Sequence, residues 1–154
     1  MAAGAVFVPM SDELFSAARG AGASLNGAPL QASGATDLPV SLVATGFSYD
    51  RGTRREQIRR LVAVLDATRD IRRSGSAAID LCWVAAARVD AYFEERLNSW
   101  DMTAGELIAA EAGAVVTDHD GSKRTTDRIL ASAPGIHRAM IDLLARSPQV
   151  SRLT

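Results

Sequence analysis

One cysteine, two histidines and one lysine stand in 154 residues, and each scarcity excludes something. A single thiol, Cys82, rules out an intramolecular disulfide and a Cys-x-x-Cys metal or redox centre, a usage that suits a reducing cytoplasm. His119 and His137 lie far apart, neither is near Cys82, and there is no His-x-x-x-His spacing, so a zinc site has no ligand set. Both histidines are expected at the surface. Basic and acidic residues nearly cancel, 17 against 18, leaving no field of one sign to draw the chain to nucleic acid or to an anionic membrane. Nowhere do eighteen apolar residues run together, and MAAGAVFVPM has no positive n-region and is too short for a secretory signal. The glycine-rich GAGASLNG lacks the GxGxxG spacing of a dinucleotide site, and Gly75-Ser76 lacks the GxSxG nucleophile elbow.

What is present is apolar and periodic. At 47% hydrophobic residues, the chain can build a real core as one domain over 1–154. AVFVPM and ELFSAARG alternate like strands, Asn26-Gly27 suits a two-residue hairpin turn, and Pro29 confines the next segment to an edge or a loop. VSLVATG reads as a buried strand. The segment from Arg51 to Asp70 has Ile58, Leu61, Val62 and Leu65 at helical spacing, with Arg54, Arg55, Arg59 and Arg60 forming either a solvated face or an anion patch. DIRR and RVDAYFE read as strands around a helix in GSAAIDLCWVAAA that is apolar almost all round, with Cys82 and Trp83 as packing residues. WDMTAGELIAAEAG reads as a helix closed by Gly113, followed by strands AVVTD and RILASA and a last helix from about Pro134 to Ala145. This alternation predicts a layered α/β/α domain, and the leading hairpin favours a mixed sheet over a purely parallel one.

In such folds ligands collect where strands end and helices begin, because helix N-termini offer unpaired N–H groups and partial positive charge. Three features fall at such ends. Gly75 allows close approach to the backbone, and Ser76 before Ala77 serves either as a helix cap or as a hydroxyl contact to a ligand. Glu94 shares the strand face of Tyr92 while Glu95 points the other way, and a carboxylate here either faces a cleft, where it accepts from sugar hydroxyls, or is a solvent-facing strand end. Asp101, in the first turn of its helix, is either a capping residue or an oxygen ligand for a hard cation such as Mg²⁺.

The stretch NSWDMTAGELIAAEAGAVVTD, from Asn98 to Asp118, resembles the second signature of the inositol monophosphatase family: Trp-Asp, then Ala-Gly, then Glu-Ala-Gly. VFVPMSDELFSAARGAGASLNGAPL resembles that family's central strands, and RRSGSAAIDLCWVAAARVDAYFE its substrate-binding helix and strand, so nearly the whole chain is covered. The resemblance implies Mg²⁺-dependent hydrolysis of a small phosphorylated polyol or sugar. It makes Asp101 a metal ligand, Gly75, Ser76 and Ala77 backbone and hydroxyl contacts to the substrate, and Glu94 a carboxylate holding a hydroxyl. It also places the other metal ligands, a Glu-Glu pair and an Asp-Pro-x-Asp-Gly-Thr motif, in an N-terminal half that this chain does not match. None of the five prolines here follows an aspartate.

One inner-sphere carboxylate cannot balance two or three Mg²⁺ ions, so the 154 residues alone are expected to be inactive. They are also expected to self-associate through the apolar face against which the missing half would pack. The competing expectation is a non-catalytic domain that binds a sugar phosphate or a protein.

Overall fold

A computed structural model of the chain describes residues 1–124 and 127–146. The N-terminal third forms a four-stranded antiparallel sheet in chain order: β1 (Ala3–Val8), β2 (Glu13–Ala18), β3 (Gly22–Leu25) and β4 (Ala28–Pro29). Asn26 and Gly27 both take positive φ, 49° and 83°, which gives the two-residue turn its twist, and Pro29 sits on the edge strand. The rest builds a five-stranded mixed sheet in the order β6-β5-β7-β9-β8. Its strands are β5 (Leu42–Thr45), β6 (Asp70–Arg72), β7 (Ala91–Glu95), β8 (Val115–Thr117) and β9 (Arg128–Ser132). The leading hairpin does not join this sheet. Its mixed character comes from β9, which runs antiparallel to both β7 and β8, while β5, β6 and β7 are parallel.

Helices α1 (Arg51–Ala67) and α4 (His137–Ala145) cover one face of the mixed sheet, and α2 (Ala77–Ala85) and α3 (Ser99–Glu111) cover the other. The last pair lies between the two sheets, so α2 is buried on several sides, as its nearly all-apolar sequence predicts. Leu81, Tyr92, Met102 and Ile129 fill the layer against the mixed sheet, while Phe15, Cys82 and Ile108 fill the layer against the small one. Cys82 is fully buried, and burial pushes its thiol up to about 12, so it is a packing residue. Contact between β1 and α3 is close at Gly4, where a Cβ would lie 3.2 Å from the Ala104 Cα. The other face of the small sheet carries Ala3, Ala5, Phe7, Leu14, Ser16 and Ala18, and no described element covers it.

Two expectations need correction. On α1 the inward positions are Gln57 and Val64, whereas Ile58, Val62 and Leu65 are 47%, 58% and 48% exposed. Helical spacing identified a stripe but not which stripe the sheet takes. Of the arginines, Arg54, Arg55 and Arg59 are exposed and form the solvated face, Arg59 pairing with the exposed Glu56, whereas Arg60 departs from it, half-buried and paired with Glu95 at 3.1 Å.

The histidines also depart from the surface assignment, since both are only 8% exposed. His137 lies between Ser132 Oγ, 2.7 Å from Nδ1, and Thr117 Oγ1, 3.0 Å from Nε2. The His119 ring Nε2 lies within 3.2 Å of the carbonyls of Glu94 and Ile129. Burial holds both below the usual imidazole value, so they serve as neutral hydrogen-bonding struts.

Candidate active site

The C-terminal ends of the three parallel strands open on one side of the mixed sheet, and there a cavity of about 340 Å³ forms. Gly46 follows β5, Arg73 and Gly75 follow β6, and Glu94 is the last residue but one of β7, so neighbouring strands deliver them side by side. The first turn of α2 supplies Ser76, Ala77 and Asp80, and the start of α3 supplies Trp100 and Asp101. Two helix N-termini therefore border one cavity, an arrangement that favours an anionic ligand group. The five residues singled out in the sequence, Gly75, Ser76, Ala77, Glu94 and Asp101, all line it.

At the two positions where capping competed with ligand contact, capping is present without excluding the cavity. Ser76 caps α2, its Oγ accepting from the Ile79 N–H at 3.4 Å. Gly75 takes a φ of 92°, a conformation that a side chain would strain. Asp101 closes a capping box with Asn98, Oδ2 accepting from the Asn98 N–H at 3.1 Å. Both side chains nevertheless line the cavity.

Glu94 is held from two sides. The Tyr92 hydroxyl donates to Oε2 at 2.6 Å, and the alternation along β7 that puts these two on one face sends Glu95 to the other, against Arg60. Behind the carboxylate is Gly46, where a Cβ would fall 2.0 Å from Oε2, so no other residue fits there with Glu94 in place. Burial raises Glu94 above the ordinary carboxylate range, an effect opposed by the Tyr92 hydrogen bond and the Arg73 charge.

Asp80, Arg73, Gly46 and Tyr92 join the site without having been singled out in the sequence. The signal for Asp80 was available: it is the lone charge in the otherwise apolar run AAIDLCWVAAA. It is only 1% exposed, its Oδ1 has no hydrogen-bond partner, and burial pushes it up to about 6 although hydrogen bonding to Ser74 pulls the other way.

This shift predicts a pH-dependent stability. The folded state keeps the Asp80 proton to higher pH than the unfolded chain does. Stability from this group is therefore full below about pH 4 and is lost as pH rises toward 6. Two units correspond to about 3 kcal/mol, reduced to about 1–2 kcal/mol by the cavity's opening to water. Asp80→Asn is expected to match the wild type near pH 4 and to exceed it by about that amount at pH 7.5 in urea unfolding. Equal gains at both pH values would show that the charge is not the cause.

Asp80, Glu94 and Asp101 line one cavity, yet the described residues contain no group of three His, Cys, Asp or Glu side chains that could hold an ion. Asp101 can add one oxygen to a Mg²⁺ held elsewhere. The described residues do not by themselves fit a Mg²⁺ centre.

The chain is similar to known proteins over most of its length. The protein named Nus factor SuhB from Vibrio cholerae is 47% identical over 132 residues, covering 84% of this chain and 49% of its own. The inositol-1-monophosphatase of Synechocystis is 44% identical over 149 residues, covering 95% of this chain and 52% of its own. The solved inositol monophosphatase from Anabaena superposes with a TM-score of 0.93 at 39% identity, covering 97% of this chain and 60% of its own. The chain thus spans about half the length of the curated relatives it matches. Residues 1–149 match the inositol monophosphatase family as a whole, and with the strand ends, helix starts and carboxylates of that match gathered on one cavity, the chain belongs to this family.

Proposed function

We propose that this chain forms the substrate-binding part of a Mg²⁺-dependent phosphomonoesterase acting on a small phosphorylated polyol or sugar. The observation that carries this reading is the convergence of Ser76 and Ala77 at one helix start, Asp101 at another and the Glu94 carboxylate on a single cavity. The helix starts suit a phosphate, and Glu94, braced by Tyr92, suits a hydroxyl. Mg²⁺, when bound, supplies activation of water and charge for the leaving oxygen. The residues of this chain bind and orient: Glu94 accepts from a hydroxyl, Gly75 leaves the backbone open to approach, and Asp101 contributes one ligand oxygen. The remaining ligands belong to the half of the relatives that this chain does not match.

A phosphate-release assay on inositol 1-phosphate with Mg²⁺ tests this. The 154 residues alone should release nothing above background, and the same chain extended by the family segments bearing Glu-Glu and Asp-Pro-x-Asp-Gly-Thr should turn over. Release by the short chain would place enough ligands within it. Silence of the extended form would remove the phosphatase reading and favour the second one, a non-catalytic binding domain. That reading is supported by the relatives that bear the name Nus factor rather than that of an enzyme.

In isolation the chain is further proposed to self-associate through the open face of its small sheet, where Phe7 and Leu14 are 56% and 44% exposed among small residues. Light scattering across a concentration series should show dimers or larger species that Phe7→Lys weakens. A monomer at every concentration would refute this.

A further inference from the structure

Asp80 has no part in the proposed binding of phosphate, metal or the first hydroxyl, and its position is costly for a residue that does nothing. Its neighbours along α2, Leu81, Cys82 and Val84, are buried and apolar. An almost fully buried carboxyl with an idle oxygen is less favourable there than another apolar side chain. It lies one turn along the helix from Ser76 and Ala77, and helix side chains lean toward the N-terminus, which brings it to the cavity it lines. Glu94 lines the same cavity from β7, near enough for its charge to disfavour that of Asp80. Arg73 also lines it and favours the charged form of both.

That charge pattern narrows the ligand group. A cation would meet the Arg73 guanidinium, and the three acids do not gather as a metal-holding group among the described residues. An anion would meet the carboxyls. A neutral hydrogen-bond donor meets neither penalty, and a polyol ring offers several. We propose that Asp80 is a second hydroxyl-binding residue, its idle Oδ1 accepting from one hydroxyl of a polyol phosphate while Glu94 holds another. The inference rests on the polyol-phosphate reading of the cavity. It adds a basis for selectivity, because a ligand lacking that hydroxyl leaves a buried acceptor unsatisfied.

Calorimetric titration of the 154-residue chain with myo-inositol 1-phosphate, and with inorganic phosphate as control, tests it. Asp80→Leu, which removes the acceptor oxygens from a side chain of similar size, should weaken inositol phosphate about tenfold and leave inorganic phosphate unchanged. Among monodeoxy inositol 1-phosphates, one should bind the wild type about tenfold more weakly than the parent compound and show no such loss on Asp80→Leu. A purely structural role for Asp80 gives no such matched pair. In the unsubstituted chain, the ¹³C resonance of the Asp80 carboxyl should move on addition of inositol phosphate and stay put with inorganic phosphate. That measurement does not depend on how any variant folds. Tight binding that is indifferent to Asp80→Leu, or a carboxyl resonance that does not respond, overturns the role of Asp80 alone. Failure of the unsubstituted chain to bind inositol phosphate while it binds phosphate overturns the polyol reading and the role of Asp80 with it.

Discussion

Asp101→Asn should cut Mg²⁺-dependent phosphate release by about 100-fold or more in the extended form of the chain, while its melting temperature stays nearly unchanged. The pairing of those two results is the informative part. Asp101 has two duties: Oδ2 accepts from the Asn98 N–H at 3.1 Å in a capping box, and the side chain lines the cavity. Asparagine is itself a good acceptor for a helix start, so the cap survives at a cost below about 1 kcal/mol. What it loses is the negative charge that a hard cation requires. If activity and melting temperature fell together, the residue would be a cap whose removal loosens α3. If activity survived, Asp101 would leave the metal site.

The cavity was legible where chemistry depends on neighbours in the chain. A glycine and a serine before an apolar helix, a glutamate two residues beyond a tyrosine on a strand, and an aspartate after Trp100 are local patterns, and strand alternation was enough to separate Glu94 from Glu95. The Asn26-Gly27 turn is local too, fixed by two residues that tolerate positive φ.

What could not be read depended on partners distant in sequence. Gly46 matters because parallel pairing of β5 with β7 brings it under the Glu94 carboxylate, 48 residues on. His119 and His137 looked like surface residues because their partners, the carbonyls of Glu94 and Ile129 and the hydroxyls of Ser132 and Thr117, are assembled only by the sheet. On α1 two stripes competed, and the one containing Gln57 and Val64 packs inward although Ile58, Val62 and Leu65 are the more apolar set. Periodicity measures amphipathicity and leaves the choice of buried face to tertiary packing. The hairpin was read correctly but assigned no sheet of its own, since nothing in its alternation says that two helices will intervene between it and β5.

Gly105→Val should destabilise the chain by about 3 kcal/mol, which for a domain of this size lowers its melting temperature by about 10 °C. Gly105 is buried on α3 where that helix crosses α2, and a Cβ there would lie 2.7 Å from the Leu81 Cβ and 3.2 Å from the Ala78 carbonyl. Neither neighbour can yield easily. Leu81 is fully buried among Met102 and Ala109, and the Ala78 carbonyl belongs to the helix backbone. Valine adds two methyl groups beyond the clashing Cβ, whereas Gly105→Ala adds only the Cβ and regains about 1 kcal/mol of helix propensity, so its loss should be smaller. The same contact sets the separation of the two helix starts that border the cavity. Ala78 and Leu81 flank Asp80 on α2, and Asp101 lies one turn before Gly105 on α3. A variant pried apart at this crossing, assayed below its melting temperature, should therefore bind inositol phosphate more weakly although residue 105 does not line the cavity. Weakened binding by Gly105→Ala, in proportion to its smaller thermal loss, would tie the geometry of the site to the packing beneath it. An unchanged melting temperature for Gly105→Val would mean that α2 and α3 slide freely and that their spacing is fixed elsewhere.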